Sequence, residues 1–462
     1  MKTNHIMAAK FSFHAPTRKH CSVCESYPQD EEGILDAHNA KASSASKFPI
    51  HNWYYFVLGY SPDFPNFILD REKANKLTKV VDPFMGSGTT LIACKDRGIA
   101  SAGIDANNYF YDVVNVKTDW SINTSDIKKS LSAIIEEYNI RITKFFDETQ
   151  ETVENTENKV SFQSFSSSHR PKMLVEKYIS DIPFSKLTII KEVIEKTVDK
   201  SDLHRFFSFA LSSIIVSVSN VKYGPGFGVS KKLKHDVDVL EFFTKKIERM
   251  IEDLEGKTSD QINTPVDVYL GDSRELSSYI ESESVDLMIT SPPYPGDHEY
   301  TKHTRLELIF MEYANNILEF REIKKRMVRG STTNIYKNDN EKDLISHIQS
   351  IEKIVKLIDE RLIEDNASSG FEKLYTKLVQ EYFGGMYNNL VESYKVLKKG
   401  GKYSLLVSDS HAFKMVHIET AKILGELAEE IGFSNVEIEL WQSKKTSSHS
   451  YMLRESIITV TK

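Results

Sequence analysis

The feature that most constrains this chain is Asp82-Pro83-Phe84-Met85-Gly86-Ser87-Gly88-Thr89-Thr90, a glycine turn between a short β-branched run and an apolar segment. Leu77-Thr78-Lys79-Val80-Val81 has the composition of a buried strand, and Leu91-Ile92-Ala93-Cys94 opens a helix that breaks near Gly98. Strand, glycine turn and helix form the opening unit of an open α/β sheet, where ligands sit at the carboxyl ends of strands. Gly86 and Gly88 lack Cβ atoms, so the chain can turn sharply and a nucleotide-sized ligand can come against the main chain.

The turn's own residues separate the ligand readings. A phosphate-cradling P-loop requires Gly-Lys-Ser/Thr at its end, and no lysine follows Gly88. A dinucleotide fingerprint requires a third small residue where Leu91 stands. S-adenosylmethionine, a zwitterion carrying an adenosine, needs no phosphate cradle and is compatible with this turn. A purely structural turn is the competing reading.

Two further strand ends bear on the choice. Ala102-Gly103-Ile104-Asp105-Ala106-Asn107 places an acid about twenty residues beyond the glycines, where nucleoside-binding folds accept both ribose hydroxyls; ordinary turn chemistry is the alternative for Asp105. Val285-Asp286-Leu287-Met288-Ile289-Thr290 runs into Ser291-Pro292-Pro293-Tyr294. Two prolines fix φ and remove two donors, so the strand stops there with outward carbonyls, a hydroxyl and an aromatic ring. Such a loop can hold a planar amine, or it is a rigid turn with a core tyrosine.

Taken together, these residues resemble the amino-methylating DNA methyltransferases, over roughly residues 48–120 and 265–462. The resemblance implies that Asp82, Pro83, Phe84, Gly86, Ser87, Gly88, Thr89 and Thr90 form the S-adenosylmethionine motif and that Ser291, Pro292, Pro293 and Tyr294 form the catalytic motif. It implies that Asp272, in Val266-Asp267-Val268-Tyr269-Leu270-Gly271-Asp272-Ser273, meets the adenine amine, unless that residue is a helix N-cap. The aromatic stretch between Phe48 and Asp70 would serve both as core and as a wall at the methionine end. Double-stranded DNA is the implied substrate, and a cognate restriction endonuclease a companion. Ser at the head of the tetrapeptide is commoner in enzymes acting on N4 of cytosine and Asp in those acting on N6 of adenine, so cytosine N4 is favoured. An RNA methyltransferase or an inactive DNA-binding module are the rivals. One departure stands out: this turn form is familiar where the catalytic half comes first, whereas here the cofactor half precedes it.

The fold expected is a doubly wound, Rossmann-like sheet of seven strands, with Val436–Leu440 and Glu455–Val460 pairing as terminal strands. At 462 residues the chain exceeds one ordinary core. It divides into a polar segment (1–47), a cofactor half (48–120), a mostly helical insertion (121–265) and a catalytic half (266–462) holding a basic helical insertion at about 310–385. Leu390–Leu397 reads as a helix stopped by Gly400-Gly401, and Tyr223–Gly228 as a flexible loop among Lys222, Lys231, Lys232 and Lys234. The run Arg321–Lys337 carries six basic residues against one acid, and Lys324, Lys325, Arg326 and Arg329 are its candidates for holding DNA phosphates. A solvated charged face is the alternative for both basic regions.

No apolar run approaches the ~20 residues of a membrane span, the start lacks an apolar leader core, and three cysteines suit a reducing compartment, so a cytoplasmic enzyme is expected. His20-Cys21-x-x-Cys24 is half of a zinc pattern without a second cysteine pair, and no metal is expected. The net charge of -7 excludes wholesale coating of nucleic acid but not a local basic groove. None of Cys21, Cys24 or Cys94 lies in a Pro-Cys loop, which excludes the attacking thiolate used for methylation at carbon.

Overall fold

The computed structural model describes residues 48–151, 162–223, 227–296, 298–411, 413–445 and 452–462. The His20-Cys21-x-x-Cys24 pattern lies outside the described residues. The strands in chain order are β1 (Val80–Asp82), β2 (Ser101–Asp105), β3 (Val221–Tyr223), β4 (Phe227–Val229), β5 (Val266–Leu270), β6 (Val285–Thr290), β7 (Leu397–Ser408), β8 (Ser434–Lys445) and β9 (Met452–Thr461). Seven of them make one sheet in the order β5-β2-β1-β6-β7-β9-β8. The first five in that order run parallel, and β9 is antiparallel to both β7 and β8.

The alternation of side chains along each strand produces three layers. Val80, Leu287, Ile289, Leu406 and Ile457 face one side, where they meet Phe64, Ile68 and Leu69 of helix Asp63–Arg71 and Ala93 and Cys94 of helix Thr89–Asp96. Val81, Val285, Met288, Leu405 and Ile458 face the other, packing on helices Tyr375–Val396 and Thr420–Ile431. Helix Thr420–Ile431 ends at Gly432, whose φ of +111° only glycine adopts at little cost. The interposed helices Thr124–Glu151, Asp181–Thr197, Ser201–Val218 and Val239–Glu255 pack mainly on one another and on helix Asn108–Thr118, sharing a core that includes Phe206, Phe207, Phe243 and Tyr109.

One local expectation is corrected. Gly400-Gly401 does not stop a helix: helix Tyr375–Val396 ends earlier, and the glycines form an irregularity inside β7, where pairing shifts from Val285↔Leu397 to Leu287↔Lys402. A side chain at Gly401 would lie 2.9 Å from the Lys398 carbonyl, so the bulge needs glycine for space. Tyr223, Phe227 and Gly228, at the two ends of the stretch read as a flexible loop, pair in the short antiparallel ladder of β3 with β4, and residues 224–226 between them lie outside the described residues.

Strand order reverses at one place. From β1 the chain winds to β2 and β5, then returns to β6 on the opposite side, so β1 and β6 are parallel neighbours with Val80↔Leu287 and Val81↔Met288 in register. Their carboxyl ends border the crevice where open α/β sheets bind ligands.

Candidate active site

The crevice is braced by Asp82, the last residue of β1, which is fully buried. Thr290, 208 positions later at the end of β6, donates to its Oδ1 at 2.6 Å, and the Phe84 N–H donates to the same oxygen at 3.0 Å. The Tyr60 hydroxyl donates to Oδ2 at 2.8 Å and lies 2.6 Å from Thr90 Oγ1. Burial pushes this carboxyl up to about 6 against the pull of its donors. It is therefore largely ionised at neutral pH, and charge-assisted bonds tie the two strand ends together.

Beyond Asp82 the turn passes through Gly86 (φ +48°) and Gly88 (φ +85°), both in the left-handed region. The Gly86 N–H donates to Asp105 Oδ2 at 3.0 Å, and the Asn107 N–H donates to Oδ1 at 2.8 Å. Each oxygen of Asp105 keeps acceptor capacity, since a carboxylate offers about four lone-pair sites. Burial raises this carboxyl to about 6 as well. Lys117, buried and pushed down to about 7 by that burial, donates to the Ser87 carbonyl at 2.8 Å and fixes the turn from behind.

After β6, the Ser291 hydroxyl donates to the Leu406 carbonyl of β7 at 3.0 Å and lies 3.0 Å from the Tyr294 hydroxyl. The Tyr382 hydroxyl donates to the Pro293 carbonyl at 2.9 Å, and the Tyr294 N–H donates to the Tyr300 hydroxyl at 3.3 Å. Among the described residues none donates to the Pro292 carbonyl. Burial raises the Tyr294 phenol, first of all causes, so it stays protonated.

Both loops border one open cleft. Pro83, Phe84, Gly86, Ser87, Thr89, Asp105 and all four residues of Ser291–Tyr294 line it. Asp82, Gly88 and Thr90 stand behind the wall. Asp272 does not line the cleft: it caps the turn Ser273–Ser278 and is gripped by Arg274, Nε at 2.9 Å and a terminal nitrogen at 2.5 Å, which is the capping alternative foreseen for it. Its neighbour Ser273 faces the cleft instead. Phe56, Tyr60, Phe110 and Tyr300 complete the wall, whereas Trp53 and Tyr54 are core. The aromatic density of residues 53–60 was the available signal, but nothing local distinguished its wall residues from its core ones. Among the described residues no group of three or more His, Cys, Asp or Glu is arranged to hold a metal.

The basic run departs most from its reading as a phosphate contact. Arg329 is buried in an ion pair with Asp339 at 2.9 Å and also donates to the Met327 carbonyl at 2.6 Å. Lys324 is paired with buried Glu299 at 3.2 Å. Arg326 turns into the cleft, and of the four candidates Lys325, paired at 2.7 Å with exposed Glu322, is the exposed one, as are Arg321 and Lys337 elsewhere in the run. A run dense in basic residues cannot show which of them meet carboxylates brought by folding.

A family profile described as DNA methylase matches residues 66–116, from helix Asp63–Arg71 to helix Asn108–Thr118. Over 432 residues the chain is 21% identical to the type II methyltransferase M.AvaI of a Nostoc species, covering 87% of this chain and 83% of that one. It is 23% identical over 437 residues to the type II methyltransferase M.BsoBI of Geobacillus stearothermophilus, covering 87% and 82%. M.MvaI of Kocuria varians is 23% identical over 379 residues, covering 78% and 76%. With a seven-stranded sheet and a ligand crevice where its order reverses, the chain is similar to the amino-DNA methyltransferases of the N6/N4 family over residues 66–116 and to type II methyltransferases over most of its length. Such enzymes take their methyl group from S-adenosylmethionine. The residues present fit that donor: a Cβ built on Gly86 would meet nothing within 4 Å and would project into the cleft, beside the free acceptor sites of Asp105 and a largely aromatic wall. Among the described residues no helix is long and apolar enough to cross a membrane.

Proposed function

We propose that this protein is a type II DNA methyltransferase of a restriction-modification system, acting on the exocyclic amine of a base rotated out of duplex DNA, with N4 of cytosine as the target. The observation that carries the reading is the state of the Ser291-Pro292 acceptors. Because the Ser291 hydroxyl donates its hydrogen to the Leu406 carbonyl, its oxygen can only accept, from the Tyr294 hydroxyl at 3.0 Å or from an incoming amine, and the Pro292 carbonyl is a second acceptor beside it.

An exocyclic amine is a poor nucleophile, since its lone pair is delocalised into the ring. Two acceptors that take its two hydrogens favour a more pyramidal nitrogen and point its lone pair along one direction. Bound S-adenosylmethionine supplies the sulfonium methyl that such a lone pair attacks. The chain's contribution is alignment and a fixed electrostatic frame, which account for most of the acceleration in reactions of this kind. Tyr294 releases Ser291 as the base enters and stacks on it, offsetting a few kcal/mol of unpairing. Asp105 binds the ribose, the Gly86–Gly88 turn accommodates the methionine portion, and Ser273 rather than Asp272 meets the adenine edge.

We assign residues 48–120 and 266–462 to the two halves of the catalytic domain and 121–265 to target reading. Lys222, Lys231 and Lys232 stand exposed around the β3–β4 hairpin, while Lys324 and Arg329 of the 321–337 run are paired with buried carboxylates, which supports the first insertion as the DNA-reading part. Cytosine N4 is favoured over adenine N6 because Ser291 rather than an Asp heads the tetrapeptide. Mass spectrometry of nucleosides from duplex DNA methylated by the pure protein tests the reading. N4-methylcytosine is expected; N6-methyladenine alone would overturn the target, and no methylated base in DNA the protein binds would overturn the activity.

A further inference from the structure

The chain leaving helix Ile317–Lys325 does not run out over the surface. Arg326, Met327 and Val328 line the same cleft as Asp105, Ala106 and Ser273. Arg326 is anchored there: one terminal nitrogen donates to the Ala106 carbonyl at 3.0 Å and to Asn108 Oδ1 at 2.8 Å. Its Nε is buried and has no hydrogen-bond partner. A buried donor left in that condition has lost its water without a replacement, and the rigid guanidinium fixes where the N–H points. Val328 sinks into the core that holds Val81, Ala102 and Ile104, so the segment is pinned on both sides of the arginine.

We propose that Arg326 is a cofactor-binding residue, holding the adenosine moiety of S-adenosylmethionine through its Nε–H and the guanidinium plane, with residues 326–328 forming the wall that covers the nucleoside. The assignment rests on reading this cleft as the S-adenosylmethionine site. Three considerations favour the adenosine end. Both anchors of the guanidinium lie just past the end of β2, beside Asp105, the ribose candidate. Adenine and ribose offer neutral acceptors and a π face, both suited to a guanidinium. A fixed cation beside the sulfonium would be repelled by it, which argues against the methyl end. Two residues beyond Val328, a Cβ built on Gly330 would come 3.6 Å from the Tyr294 carbonyl, so one short segment spans from the nucleoside to the catalytic loop.

Calorimetry on the full chain tests this with two probes, S-adenosylmethionine and 5′-deoxy-5′-methylthioadenosine, which lacks the amino acid. The variants are Arg326→Met and Arg326→Lys; the lysine keeps a cation able to reach Ala106 but has no Nε–H, and thermal melting without ligand identifies any variant that fails to fold. Both folded variants should bind both probes about tenfold or more weakly, equivalent to about 1.4 kcal/mol. Wild-type affinity for both probes in a folded variant would overturn the proposal, as would a loss confined to S-adenosylmethionine, which would move the contact to the amino-acid end. If the unaltered protein bound neither probe, the reading of the cleft itself would fail instead.

Discussion

The loops that follow β1 and β6 border the same cleft as Arg326, Met327 and Val328 of the segment from Lys324 to Asp339, yet loops and segment use their polar groups in opposite ways. In the loops, fixed partners aim the polar groups and leave acceptor sites: the Ser291 hydroxyl donates to the Leu406 carbonyl, and Asp105 accepts one backbone N–H on each oxygen and keeps room for more. In the segment, three cations are turned inward: Arg329 to Asp339, Lys324 to Glu299, Arg326 to the end of β2. The difference teaches that a site built on backbone geometry exposes its chemistry by construction, because glycine and proline set the turn and nearby partners only aim the side chains. A charged side chain is long and flexible, and its role depends on what the fold brings beside it.

The sharpest way to break that contrast is Arg329→Ala. If the arginine is structural, the substitution strands the Asp339 carboxylate, whose side chain is 8% exposed, and should cost about 3 kcal/mol in denaturant unfolding while leaving the salt dependence of DNA binding unchanged. A stable variant with a flatter salt slope would return the residue to the DNA.

A second buried charge sharpens the comparison on the crevice side. Glu307 is buried, accepts from the Tyr54 hydroxyl at 3.0 Å and the Tyr223 hydroxyl at 3.2 Å, and is raised to about 7 by burial, from an ordinary 4.5. Between those values the folded chain holds a proton that the unfolded chain has lost. Its contribution to stability is therefore complete below pH 4.5 and declines as pH rises to 7. Glu307→Gln should remove that decline and stabilise the protein by about 3 kcal/mol at pH 8, with no gain at pH 4. Equal effects at both pH values would mean that the carboxylate is ionised and well paired.

The smallest effects separate the two basic regions. Lys231→Ala with Lys232→Ala should reduce the salt slope of DNA binding by up to about two units, and Lys325→Ala by about one or less. A larger change at Lys325 than at the hairpin would reverse the assignment of the DNA-reading part.

What could be read in the sequence follows from the same contrast. β1, β2 and β6 were legible because short apolar runs stopped by turn residues mark strands buried on both faces, and the Gly86–Gly88 and Pro292-Pro293 turns because each is dictated by its own residues. Ser273 and Tyr60 were not legible as wall residues, because their placement depends on partners far away in the chain, such as Asn389 donating to the Ser273 carbonyl and Asp82 accepting from Tyr60. Gly400-Gly401 misled because a glycine pair marks a helix stop and a strand bulge equally well. The direction of Lys324, Arg326 and Arg329 was illegible for the reason given above: Glu299 and Asp339 lie in separate loops that only the fold assembles.

The central claim is that one crevice holds the methyl donor on the β1 side and the target amine on the β6 side, by separable residues. Single-turnover methyl transfer to duplex DNA, measured across S-adenosylmethionine concentrations, tests it in Asp105→Ala and Ser291→Ala. The account predicts a split: Asp105→Ala binds the donor about 1–3 kcal/mol more weakly, yet approaches the wild-type rate at saturation. Ser291→Ala keeps donor affinity but loses about a hundredfold or more in rate. A rate defect in Asp105→Ala that saturating donor does not relieve, or a Ser291→Ala enzyme that transfers at the wild-type rate, would contradict it.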